Sequence, residues 1–126
     1  MDINPSSHKQ FEIWKLGAPL GRQFPVEYVL IISNTRGLLY SQESFVWVIP
    51  LYYIKRVPPS MNNPHIKFPY LPGGKETFHQ LPYPVFIGVQ GMVVMEKANM
   101  IHKMSNLSQQ YRQEVSKLVE DRMSFV

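Results

Sequence analysis

The sequence predicts a small, mainly β protein, antiparallel in its strands and closed by a C-terminal helix. Three observations carry that expectation. All 11 prolines of the 126-residue chain lie at or before Pro84. Proline breaks helices and central strands, so short strands and loops belong before that point and any long helix after it. Several separate runs before Gln90 are rich in Val, Ile, Leu and aromatic residues, which suit a pleated, buried surface. From Ser108 onward, Tyr111, Val115, Leu118, Val119 and Met123 repeat with the period of one helical face.

Residues 10–16 alternate polar and apolar side chains, the pattern of a half-buried strand. Gly17, Pro19, Gly21, Arg22 and Pro25 then read as a long loop. Residues 27–34 form a continuous aliphatic run, which predicts a strand buried on both faces. Thr35-Arg36-Gly37 supplies a turn. Residues 44–51 read as a third strand. Residues 63–68 read as a weaker fourth, with Ile66 and Phe68 alternating with His65 and Lys67. A turn at Pro72-Gly73-Gly74-Lys75 leads to a fifth strand over 83–90. Residues 95–104 are expected to form a short helix with Met100 and Met104 one turn apart, and Ser108 to cap the final helix. Residues 1–8 are expected to be a flexible arm. The proline-rich stretch 55–82 is expected to be a loop or flap.

Apolar residues are 44% of the chain and charged residues 17%, a globular rather than a disordered composition. There is no cysteine, so disulfides, thiol catalysis and thiolate metal sites are excluded. The net charge of +4 fits a nucleic-acid partner without requiring one. No apolar run reaches the roughly 18 residues that span a bilayer, and the first residues lack the pattern of a signal peptide. A cytoplasmic protein of one domain (1–126), without a membrane partner, is expected. His8, His65, His79 and His102 show no short metal-ligand spacing, so neither a metal nor another cofactor is expected. His65 and His79 could meet across a hairpin; the plainer expectation is two surface histidines. Gly73-Gly74-Lys75 is too short for a phosphate loop and reads as a turn.

Arg22, Arg36, Lys55, Arg56 and Lys75 fall in predicted loops or strand ends, with Phe24, Tyr40, Tyr52, Tyr53, Tyr70 and Phe78 among them. Cations with aromatic platforms suit single-stranded nucleic acid, because phosphates meet Lys or Arg and bases stack on rings. The alternative is a solvated rim with the rings turned into the core. On the final helix, Arg112, Glu114, Lys117, Glu120, Asp121 and Arg122 have the spacing of a solvated, ion-paired face.

The order of these segments resembles the MazF/PemK family of toxins from bacterial toxin–antitoxin modules. The resemblance covers about residues 9–123 and rests on element order, Ile31-Ile32-Ser33-Asn34 and Val48-Ile49-Pro50-Leu51. It implies a small antiparallel β-barrel that forms a homodimer, with Met92, Met95, Met100 and Met104 available as adaptable contacts. It also implies metal-independent cleavage of single-stranded RNA, in which a 2′-hydroxyl attacks the adjacent phosphorus. That chemistry needs a cation, a hydroxyl and a proton shuttle. Where the family carries an Arg-Pro pair this chain has Glu27-Tyr28, and where it carries a Thr this chain has Tyr52.

The expected catalytic set is therefore Arg22 as phosphate clamp, Glu27 as base and Tyr52 as hydroxyl donor, with Arg36, Lys55, Arg56 and Lys75 binding RNA. A carboxylate near contact with a phosphate costs on the order of 4 kcal/mol, so a modified site is implied. The alternative is a non-catalytic relative that binds a protein, either a cognate antitoxin or a gyrase-type target. An unrelated β-barrel interaction domain is the plainest reading.

Overall fold

A computed structural model describes residues 8–33, 44–61, 68–74 and 78–123. The strands are β1 (Glu12–Leu20), β2 (Val26–Ile31), β3 (Phe45–Tyr53), β4 (Tyr70–Leu71), β5 (Val85–Ile87), β6 (Val93–Glu96) and β7 (Met100–Asn106), followed by helix α1 (Gln109–Met123). They form one antiparallel sheet in the order β4-β5-β3-β2-β1-β7, with β6 also paired to β3. The class is as the sequence predicts, mainly β with one C-terminal helix.

Strand β2 shows why the sheet has two cores. Side chains alternate between faces with period two. Tyr28 and Leu30 join one apolar cluster with Ile13, Ile49 and Leu51, which Val115 and Val119 of α1 cover. Val29 and Ile31 join a second cluster with Leu16, Val46, Val48, Met95 and Met100. The sheet curls around this second cluster as a half-barrel. The 3-10 turn Lys97–Asn99 carries the chain from β6, on β3, to β7, on β1.

Pro50 divides β3 into two halves. The Ile32 N–H donates to the Trp47 carbonyl across the β2–β3 seam at 3.0 Å. Bonded pairs alternate in an antiparallel ladder, so the Val29↔Pro50 pair is a non-bonded one. The N–H that proline lacks would point away from β2, where β5 has ended and β6 has not begun. Three steps along β3, from Leu51 to Val48, are matched by six from Ile87 to Val93. The surplus forms the 3-10 turn Val89–Gly91. A proline is tolerated in mid-strand because the ladder is interrupted beside it.

Several expectations are corrected. β1 begins at Glu12 because Phe11 takes a left-handed backbone, φ 68°, and it runs through Gly17 and Pro19 instead of looping there. An irregularity between Lys15 and Leu20 lets the strand regain β2 at Val26. Residues 95–104 form no α-helix: they are the end of β6, the 3-10 turn Lys97–Asn99 and most of β7. Tertiary pairing overrides local helix preference: Met95 and Met100 turn into the second cluster, while β6 pairs with β3 and β7 with β1. The fifth strand keeps only Val85–Ile87 before the 3-10 turn.

Met92 and Met104 pack half-buried against the first cluster, and Met95 and Met100 are buried in the second. Within 55–82, Met61, Leu71, His79 and Leu81 are buried, and β4 joins the sheet through β5. The expected fourth strand falls outside the described residues except for Phe68, which is not in a strand.

Candidate nucleic-acid interface

The antiparallel register sets a row across the sheet. His102 of β7 lies opposite Lys15 of β1, Lys15 opposite Tyr28 of β2, and Tyr28 opposite Leu51 of β3. Directly paired residues share a face, so the exposed Lys15 and His102 continue the face on which Tyr28 is buried. Two further tyrosines join them. The Tyr83 ring meets Tyr53 edge-on at 4.7 Å and Tyr28 at 5.8 Å.

Glu27 enters this cluster from β2. Its Oε2 accepts the Tyr83 hydroxyl at 2.7 Å. Burial raises the Tyr83 phenol far above the usual tyrosine range, and the Glu27 carboxylate raises it further. Burial and the Glu27 charge push Tyr28 the same way. A close approach of backbones helps to fix Tyr83, since a Cβ on Gly73 would sit 2.0 Å from the Tyr83 carbonyl carbon.

The expected catalytic set is only partly assembled. Arg22 is exposed in the turn between β1 and β2. Lys55 and Arg56 are exposed in the turn after β3, closed by the Arg56 N–H donating to the Tyr53 carbonyl at 2.9 Å. Since β2 runs antiparallel to β3, these turns and Glu27 lie at one end of the sheet. Tyr52 faces the other way. It packs against the second cluster and lies so close to Gly88 that a Cβ there would be 2.6 Å from its ring. The hydroxyl beside Glu27 is Tyr83, not Tyr52. Arg36 and Lys75 lie outside the described residues, as does His65.

Sequence reasoning gave no site role to Lys15, Tyr83 or His102. Lys15 carried a signal, as a cation within an alternating strand. The pairing of Lys15 with His102 depends on strands from opposite ends of the chain and has no local trace.

His79 is not a surface residue: it is 2% exposed, and burial lowers its pKa. Its Nε2 accepts the Ser108 N–H at 3.1 Å, which fixes the neutral ring with its acceptor at the start of α1. Ser108 precedes the helix as expected of a cap, yet its buried hydroxyl has no hydrogen-bond partner. On α1, Arg112 donates to the Leu107 carbonyl and lies over the Phe11 ring, and Arg122 donates to the Gln90 carbonyl. Both reach other elements of the fold.

Among the described residues no group of three or more His, Asp or Glu is placed to hold a metal ion, and no helix is long and apolar enough to cross a membrane. Comparison with models of known protein families gives no match, and comparison with curated proteins gives none either.

Proposed function

We propose that this chain is a divergent protein of the MazF/PemK type that binds single-stranded RNA across the face carrying Lys15, His102 and the tyrosine cluster. The observation that carries the reading is the cross-strand row His102–Lys15–Tyr28, with Tyr83 and Tyr53 beside it. Arg22, Lys55 and Arg56 extend the cationic rim at the neighbouring sheet end. Exposed cations meet phosphates, and partly exposed rings receive unstacked bases at about 1–3 kcal/mol per base. A curled antiparallel half-barrel with a C-terminal helix is compatible with the small antiparallel β-barrel that the family resemblance implies. Glu27 is the carboxylate available as a base for cleavage, with Tyr83 holding one of its oxygens.

The test is fluorescence anisotropy with a labelled single-stranded RNA and a duplex of equal length, at two salt concentrations. The single strand should bind more tightly, and Lys15→Ala should reduce the salt slope by about 1. Equal affinity for both, or no change in Lys15→Ala, overturns the reading. Incubating the same RNA with chelator present and analysing the product ends reads the cleavage step separately.

A further inference from the structure

Strand β6 leaves one edge open. The Lys97 N–H donates to the carbonyl of Ser44 at 2.8 Å, next in the register to the Phe45↔Glu96 and Val46↔Met95 pairs. Bonded and non-bonded pairs alternate along an antiparallel ladder. Met95 and Val93 therefore spend their backbone groups on β3. The N–H and C=O groups of Val94 and Glu96 point away from it, and among the described residues no second strand pairs with β6.

Native edges are usually blunted by lysine, proline, a bulge or a covering element. This one carries Val93 at 41% and Val94 at 44% exposure, with Phe45 of β3 at 38% beside them. A shallow groove of about 480 Å³ runs along the strand between Leu20 and Asn99. Glu96 is the charged side chain among its lining residues.

We propose that the β6 edge is a docking site for an extended segment of another protein, added as a further antiparallel strand. The backbone groups of Val94 and Glu96 supply the hydrogen bonds, as in other cases of strand addition. The groove selects a segment with apolar side chains at alternate positions, facing Val94 and Phe45. The Glu96 carboxylate selects a Lys or Arg at the end of that segment. A segment of that charge fits better than a second copy of this chain, whose β6 carries no Lys or Arg to set opposite Glu96.

The probe is a synthetic peptide, acetyl-Ser-Val-Thr-Val-Thr-Lys-Ser-amide, which sets its Lys on the same face as its two valines because side chains alternate along a strand, titrated into the full chain by calorimetry and followed by amide NMR. It should shift the Val94 and Glu96 amides most. Val94→Pro removes one outward N–H without touching the β3 ladder, since proline is accepted on an edge whose N–H faces solvent. It should weaken the peptide about tenfold. Glu96→Lys should also weaken it, and should reverse the preference in favour of a peptide with Glu in place of the Lys. Three results each overturn the proposal: no binding by the wild type, binding unaltered in both variants, or a dimer of the chain that Val94→Pro dissociates. None of them bears on RNA affinity, which is read on the opposite part of the sheet.

Discussion

The Tyr83 hydroxyl and the Glu27 carboxylate are joined at 2.7 Å although 56 positions separate them in the chain. The bond ties the segment before β5 to the start of β2. It also gives Glu27 a fixed partner at the end of the sheet where Arg22, Lys55 and Arg56 gather. The hydrogen bond has an ionised acceptor and is part-buried, so it belongs to the stronger class.

Tyr83→Phe removes the donor and leaves Glu27 unpaired. The variant should lose about 1–2 kcal/mol in urea denaturation. The phenol's folded-state pKa is raised, so its contribution is complete below the ordinary tyrosine value near 10 and is lost as pH rises above it. The wild-type advantage over Tyr83→Phe should therefore shrink between pH 10 and 11.

Glu12 takes a hydrogen bond from the Trp14 indole at 3.0 Å, another from the Lys9 N–H at 2.8 Å, and an ion pair with Lys103 at 3.2 Å. Burial alone would raise its pKa; these donors outweigh burial and lower it. A lowered carboxylate stabilises above its unfolded value and loses that contribution as pH falls through the folded one. Glu12→Gln should cost about 1–2 kcal/mol at pH 7. The gap to wild type should close below pH 4 in thermal melts.

Protonation of His79 sets a donor against the Ser108 N–H that it now accepts. Its folded pKa lies below 6.5 because of burial, so the stabilisation is present above pH 6.5 and declines as pH falls below it. The His79 ring protons should titrate below pH 6.5 in an NMR series. His79→Leu should be less stable at pH 7 and should lose part of the acid dependence.

At Gly88 a methyl group would meet the Tyr52 ring at 2.6 Å. Gly88→Ala should cost about 1–3 kcal/mol through overpacking. Adding Tyr52→Ala should recover part of that cost in a double-mutant cycle.

Glu27→Gln keeps an acceptor for Tyr83 while removing a negative charge from the proposed RNA face. Affinity for single-stranded RNA should rise, while Arg22→Ala should weaken binding to all sequences alike. Anisotropy at two salt concentrations separates the two effects.

The parts of the fold written in local pattern were legible. The unbroken run around Val29 and Ile31 marked a strand with two buried faces, and the spacing of Val115 and Val119 marked the covered side of α1. Residues 95–104 misled because Glu96, Lys97 and Ala98 favour helix, while the decisive forces are ladders with β3 and β1 that no local window contains. The site failed in a similar way. Tyr52 and Tyr53 are neighbours in sequence, but the pleat sends them to opposite faces, and the partner of Glu27, Tyr83, is 56 positions away. His79 looked like any surface histidine because its burial comes from Ser108 and Tyr111 in distant segments.

The pairing of Glu12 with Asn106 has a consequence for biosynthesis. During translation the first strand leaves the ribosome long before its β7 neighbour exists. β1 and β2 must wait with one flank uncovered until β7 itself emerges. Closing so long a loop is slow compared with forming a hairpin. A stalled or truncated nascent chain would hold an exposed strand flank, a ready target for chaperones and for aggregation. Ribosome-bound chains arrested before Met100 should be digested by a protease that spares chains extended past α1.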